Sequence, residues 1–176
     1  VMLLAKSSAA AADFSRLIQE RNGFEKEYLA VISGVPEKPQ GHFEDLLFKD
    51  SQKNKVFIVK RERRGVKKAA LDYRVLKTLE HDGKVCSLVL VRLLTGRTHQ
   101  IRVQFAGRKM PLLGDGKYGS RDSRCETALW SFRLSYKDPK SGKAVCARSL
   151  PPVEYPWSLF DIENLVNMED INARTF

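Results

Sequence analysis

Residues 84–102 read KVCSLVLVRLLTGRTHQIR. The first half, Lys84 to Leu94, is apolar on every position but a few, which is the pattern of a strand buried on both faces. The second half turns abruptly to Thr, Gly, Arg, Thr, His and Gln, with Arg97 and Arg102 five residues apart. Upstream, Leu71, Tyr73 and Val75 alternate with Asp72 and Arg74, and His81-Asp82-Gly83 supplies a turn, so the two runs predict a β-hairpin. Downstream, the spacing predicts a short helix capped by Thr98, with Ile101 and Phe105 on one face, His99 and Arg102 on another, and Gly107 as the end. A core strand that opens into a polar turn and a helix start is a place where sites are built.

The rest of the chain builds outward from that hairpin. Ser7 or Ser8 begins a helix through Ala12 that carries Phe14, Leu17 and Ile18 on one side and stops at Asn22-Gly23. Lys26 to Gly34 reads as a central strand, Phe43 to Phe48 and Val56 to Val59 as further strands. Ala128 to Tyr136 and Ala144 to Ser149 form a second hairpin about the turn KDPKSGK, and Trp157 to Leu165 a closing helix. With no repeat, linker or low-complexity tract, residues 1–176 are expected to form one domain. Its class is α+β, a mixed, mainly antiparallel sheet with flanking helices.

At 176 residues one core is large enough to bury about 70% of the unfolded surface. The 31 Lys and Arg against 21 Asp and Glu give a net charge of +10, spread along the chain, which favours a polyanionic partner. The densest run is KRERRGVKKAA (60–70), read as a basic loop. It is either a solvated segment or a phosphate-binding one, through Arg63, Arg64, Lys67 and Lys68. Three scattered cysteines, Cys86, Cys125 and Cys146, form neither a disulfide framework nor a zinc site, so no metal and a reducing, cytoplasmic setting are expected. The apolar opening Val1–Ala5 is too short to span a membrane, has no basic stretch before it, and is not read as a signal peptide.

No P-loop, dinucleotide fingerprint, Gly-x-Ser-x-Gly or His-Glu-x-x-His is present. Taken alone, His99 is a structural hydrogen-bonder as readily as a catalyst, and Gly114–Gly119 is a tight turn as readily as a ligand loop.

Taken together, LLTGRTHQIRVQF (93–105), PLLGDGKYG (111–119) and EKEYLAVISG (25–34) resemble the signatures of the RluA family of RNA pseudouridine synthases. They lie in the family's order, and ALWSFRLSYKDPKSGKAVCARSLPP (128–152) resembles its last hairpin. The resemblance implies a pseudouridine synthase fold, incomplete at the N-terminus, and a cofactor-free isomerisation of uridine in ribosomal or transfer RNA. It implies RNA as the partner, no membrane, and a monomer. Tyr28 corresponds to the active-site tyrosine that packs on the uracil. Arg102 corresponds to the arginine paired with the catalytic Asp, and Lys26, Arg97, Thr98, His99, Gln100 and Lys117 shape the turn or contact RNA.

In that family the nucleophilic Asp stands in an Arg-Leu-Asp context shortly before a strand resembling VMLLAKS. No Asp of this chain does, so the nucleophile is expected upstream of Val1. The chain is then expected to be inactive alone, with Arg102 left as an uncompensated charge that lowers stability. A non-catalytic RNA-binding module on the same fold is the second reading, and a ribosome-associated structural protein a third. Many family members have His where this chain has Gln104.

Overall fold

A computed structural model describes residues 1–20 and 23–172. Seven strands form one sheet: β1 (Phe24–Ser33), β2 (Gln40–Asp50), β3 (Lys55–Val59), β4 (Val66–His81), β5 (Lys84–Leu93), β6 (Leu129–Lys137) and β7 (Ala144–Arg148). Their order is β3-β2-β4-β5-β1-β6-β7, and every pairing between neighbours is antiparallel. Three α-helices accompany them, α1 (Ser8–Glu20), α2 (Gln100–Ala106) and α3 (Ile162–Asn172).

The expected hairpin is the centre of the molecule. β4 and β5 pair from His81↔Lys84 to Leu71↔Leu93, with Asp82 and Gly83 in the turn, both at positive φ. Strand β5 is apolar on both sides because both faces of the sheet are covered at its level. Val89 and Val91 point to a cluster with Ala30, Ile32, Phe43, Leu71 and Tyr73, closed by Ile101 and Phe105 of α2. Leu88 and Leu90 point the other way, to Leu29, Val31 and Phe132 under Trp157, Phe160 and Val166 of the C-terminal segment. Truncating a side chain as enclosed as Leu88, at 0% exposure, typically costs ~2–5 kcal/mol.

Where the apolar rows end, charged residues take over. His42, Asp72, Arg92, Glu27 and Arg133 stand opposite one another in successive strands. His42 Nδ1 and Arg92 Nη2 lie 2.8 and 3.1 Å from the Asp72 carboxylate, and Arg133 bonds to the buried Glu27.

Several boundaries differ from the sequence reading. Ser7 does cap α1, its hydroxyl accepting from Ala10 N at 3.2 Å; of the expected stop, Asn22 lies outside the described residues and Gly23 has φ 75°. The run 60–70 is not all loop, because Val66 to Ala70 already pair with β2, and Lys67 and Lys68 are strand residues. The closing helix is broken: a 3-10 turn at Trp157–Leu159 ends at Phe160, which is extended because its ring is drawn into the core, and α3 starts afterwards. Among the described residues no helix is long and apolar enough to cross a membrane.

Candidate functional site

The polar turn after β5 is fastened to β4 at one point. Leu94 N and Thr95 N both donate to Ala70 O, each at 3.1 Å, and Ala70 N donates to Thr95 Oγ1 at 2.9 Å. Gln100 closes the arrangement: its Nε2 donates to the same Ala70 carbonyl at 3.0 Å, and its Oε1 accepts from Thr95 Oγ1 at 2.7 Å and from Arg97 N at 3.0 Å. Gln100 is 3% exposed. Gln100 thus holds the turn from within, its Oε1 accepting two bonds and its Nε2 donating one.

The same bonds correct the cap. α2 starts at Gln100, after His99 in a left-handed conformation with φ 50°, and no side chain caps it from the preceding position. Thr98 is exposed, and Gln100 Oε1, at the first residue of the helix, accepts instead from Arg97 N, an amide that precedes the Thr98 position.

Arg102, one turn into α2, is not an orphaned charge. Its Nε and Nη2 donate to the two carboxylate oxygens of Asp115, both at 2.6 Å. Asp115 is the acid of Gly-Asp-Gly-Lys-Tyr-Gly, and its side chain is 0% exposed. The expected destabilisation is withdrawn, since the compensating carboxylate lies thirteen residues downstream. The bidentate bonds raise the Arg102 pKa, against the opposing effect of burial. Nη1 has no hydrogen-bond partner among the described residues, which leaves one edge of the guanidinium available to an anion.

Gly114 makes this pairing possible. It has φ 73°, and a Cβ there would stand 2.1 Å from the carbonyl oxygen of Glu126 and 2.4 Å from that of Cys125. Any side chain would push the Asp115 loop off the 125–126 backbone.

Tyr118 completes the cluster. Its ring lies 5.1 Å from the Arg102 guanidinium and 5.5 Å from Lys55 Nζ. Its hydroxyl accepts from Val56 N at 2.9 Å and lies 3.0 Å from His99 Nδ1. Burial, then Arg102 and Lys117, lower the His99 pKa. A neutral imidazole next to a hydroxyl that already accepts one bond is best satisfied with Nδ1 as acceptor and the proton on Nε2. Gly114–Gly119, readable from sequence as either a tight turn or a ligand loop, thus supplies Asp115 and Tyr118 to the site, and the acid between two glycines is the signal that marks it.

Tyr28 sits half-buried in β1, opposite Val91 and Ser131, at the edge of the cluster that α2 covers. Beside it, the Val1 ammonium donates to Ser131 O at 2.6 Å and Ser131 Oγ to Val1 O at 2.8 Å. Lys26 and Arg97 meet in a cleft of about 640 Å³ between α1, the start of β1 and the turn 93–97, where burial lowers the Lys26 pKa.

The basic hairpin adjoins this cleft, since Arg97 Nε donates to Lys68 O at 3.0 Å. Arg63, Arg64, Lys67 and Lys68 are all exposed there, with Arg63 over the Phe48 ring at 4.7 Å and Lys68 3.5 Å from Glu62. Lys117 is exposed and donates to Asn54 O at 3.0 Å. Gln104 lies buried under the cluster, its Nε2 donating to Asp45 Oδ2 at 2.7 Å, so the donor expected at this position is retained. Among the described residues no group of acids, histidines and cysteines is arranged to hold a metal ion.

Comparison with known proteins supplies the context for this geometry. Residues 1–107 match the family model described as RNA pseudouridylate synthase. An uncharacterized RNA pseudouridine synthase of Aquifex aeolicus is 32% identical over 93% of this chain and 49% of its own length. The ribosomal large subunit pseudouridine synthase D of Zymomonas mobilis is 30% identical over 82% and 47%. Among solved structures, human RNA pseudouridylate synthase domain containing 1 superposes with a TM-score of 0.73 at 26% identity, covering 93% of this chain and 72% of that one. The chain spans about half the length of these two sequence relatives.

Proposed function

The chain belongs to the RNA pseudouridylate synthase family, and on that premise we propose that it forms the uridine pocket of an enzyme that isomerises uridine to pseudouridine in RNA. The reaction breaks the N1–C1′ glycosidic bond, turns the uracil and joins C5 to C1′; C5 loses a proton and N1 gains one. The target base must first leave its stack, at a cost of a few kcal/mol that contacts to the RNA backbone offset. Exposed cations at Arg63, Arg64, Lys67 and Lys68 on the hairpin adjoining the cleft of Lys26 and Arg97, with Lys117 exposed by the β2–β3 turn, are suited to those contacts.

The observation that carries the reading is the half-used guanidinium of Arg102. Asp115 fixes its plane through two bonds, and Nη1 remains for a second carboxylate. Asp115 itself is no nucleophile, because its side chain is 0% exposed and both oxygens are engaged. No other Asp of the 176 residues stands in an Arg-Leu-Asp context. The nucleophilic Asp therefore belongs to a segment outside residues 1–176, Arg102 Nη1 keeps it ionised and aimed, and Tyr28 packs on the uracil and handles the C5 proton. The target we favour is large-subunit ribosomal RNA over transfer RNA, in line with the name of the Zymomonas relative, and the protein acts as a cytoplasmic monomer.

The test joins residues 1–176 to an upstream Arg-Leu-Asp segment and measures tritium release from RNA labelled at C5 of uridine. The joined chain releases tritium, the chain alone does not, and Arg102→Ala in the joined chain loses ~10²–10³-fold. A joined chain that folds and binds RNA without release would establish the non-catalytic RNA-binding module instead. Release by residues 1–176 alone would overturn the placement of the nucleophile.

A further inference from the structure

A second cavity, of about 430 Å³, lies near the end of α2 remote from Arg102, by the β4–β5 turn. That volume is in the range of small-ligand sites. Its lining includes Lys84, Lys109 and Arg121, together with the rings of Tyr118 and Tyr155. Among the described residues none of these three cations makes an ion pair, and the one carboxylate in the lining, Asp122, is already saturated. It accepts from Arg124 N at 3.0 Å, Nε at 3.2 Å and Nη2 at 2.8 Å, and from the Tyr155 hydroxyl at 2.5 Å. Arg124 spends its remaining nitrogen on Asp82 at 2.6 Å. An occupant would thus meet three cations that make no ion pair among the described residues and two tyrosines, Tyr155 with the Arg124 guanidinium over its ring at 4.3 Å and Tyr118 with Arg102 at 5.1 Å, with no acid competing for the charge.

We propose that this cavity binds a nucleotide, its phosphate held by Lys84, Lys109 and Arg121 and its base or ribose against Tyr118 and Tyr155. Cations select the phosphate, and the edges of the arginine-covered tyrosines offer a base or ribose contact without sequence preference. Tyr118 is the shared wall, since its ring lies 5.1 Å from the Arg102 guanidinium while also lining the cavity. The nucleotide is either a unit of bound single-stranded RNA or a free mononucleotide. The assignment stands on the cavity's own lining and goes beyond the isomerase reading; its test measures binding, so either can fail without the other.

The experiment follows the ring resonances of His81, Tyr118 and Tyr155 during titration with uridine 5′-monophosphate, a five-nucleotide single-stranded RNA, and inorganic phosphate. Shifts with both the mononucleotide and the RNA support the site; shifts with RNA alone assign it to the bound chain, and with the mononucleotide alone to a free nucleotide. The combined variant Lys84→Ala, Lys109→Ala, Arg121→Ala should weaken binding at least ~10-fold. For the RNA it should also flatten the salt dependence by about 0.7 log units per log unit, for one lost phosphate contact on a single strand. Lys109→Glu alone serves if the combined variant does not fold. Unmoved resonances, unchanged affinity in the variants, or phosphate binding as tightly as the mononucleotide would each overturn the assignment.

Discussion

Helix α2 and the turn just after it each carry an arginine paired with an acid, Arg102 and Arg108, and the two do different things. Arg108 donates to Asp45 Oδ2 at 2.9 Å and to its own helix at Gln104 O at 3.0 Å, with its guanidinium 3.8 Å above the Phe43 ring. Asp45 is shared with Gln104 Nε2. That pair ties the segment after α2 to the sheet. Arg102 is anchored just as firmly by Asp115, but only through one edge, and it rests on a tyrosine whose hydroxyl is itself held. A guanidinium held by one edge, with Nη1 unbonded, is preorganised for a ligand, whereas one that bridges an acid of the sheet and a helix carbonyl serves the frame.

The largest expected effect comes from removing the acids. Asp115→Ala strips a fully buried carboxylate from Arg102, and breaking such a pair typically costs ~3–5 kcal/mol. Asp45→Ala should cost less, about 1–3 kcal/mol, because Arg108 is 30% exposed at the side chain and gains water. Urea unfolding of both variants measures the difference; equal losses would show that the two pairs are equivalent parts of the frame.

Next comes function at constant fold. In the upstream-joined enzyme, Arg108→Lys should leave tritium release near normal. Arg102→Lys should lower it ~10²-fold, because an ammonium cannot hold Asp115 by two bonds and still face a second anion. Similar activity in the two variants would remove the special status of the open edge.

A smaller effect separates the platform from the pair. Tyr118→Phe keeps the ring under Arg102 but leaves Val56 N and His99 Nδ1 without their oxygen. A loss of about 1 kcal/mol is expected, with substrate KM raised more than kcat is lowered. A reversed split, with kcat falling first, would make the hydroxyl a participant in the chemistry.

How much of this was legible in the sequence depended on the range of the interactions. Alternation along Leu71–Val75 and the apolar run from Lys84 predicted the central hairpin because strand burial has a two-residue period. Thr98 was misplaced as a cap because α2 begins only after a left-handed His99, in a turn held by the bond of Gln100 across thirty residues to Ala70. Lys67 and Lys68 read as loop because exposed residues of a strand near the sheet edge have no apolar pattern to show. The partner of Arg102 was sought outside the chain because the motif names a catalytic Asp. Asp115 reaches Arg102 only through a turn that depends on Gly114 lying against Glu126, a contact no local spacing encodes.

The smallest effect tests the electrostatics around the open edge. His99 has a pKa lowered from 6.5, through burial first and then through Arg102 and Lys117, so the folded protein holds it neutral more strongly than the unfolded chain does. Its contribution is therefore fully present above the unfolded pKa and is lost as pH falls from there toward the folded value. His99→Gln keeps an acceptor for the Tyr118 hydroxyl but does not titrate. Between about pH 7.5 and about pH 5, the Tm of the parent should fall more steeply than that of the Gln variant. Neutralising the partner of Arg108 in Asp45→Asn should shift the whole Tm curve without removing the extra slope, because His99 and its neighbours are untouched. Parallel curves for parent and His99→Gln would mean that the positive charge of Arg102 is not felt at His99, and the open edge would then be more solvated than its geometry implies.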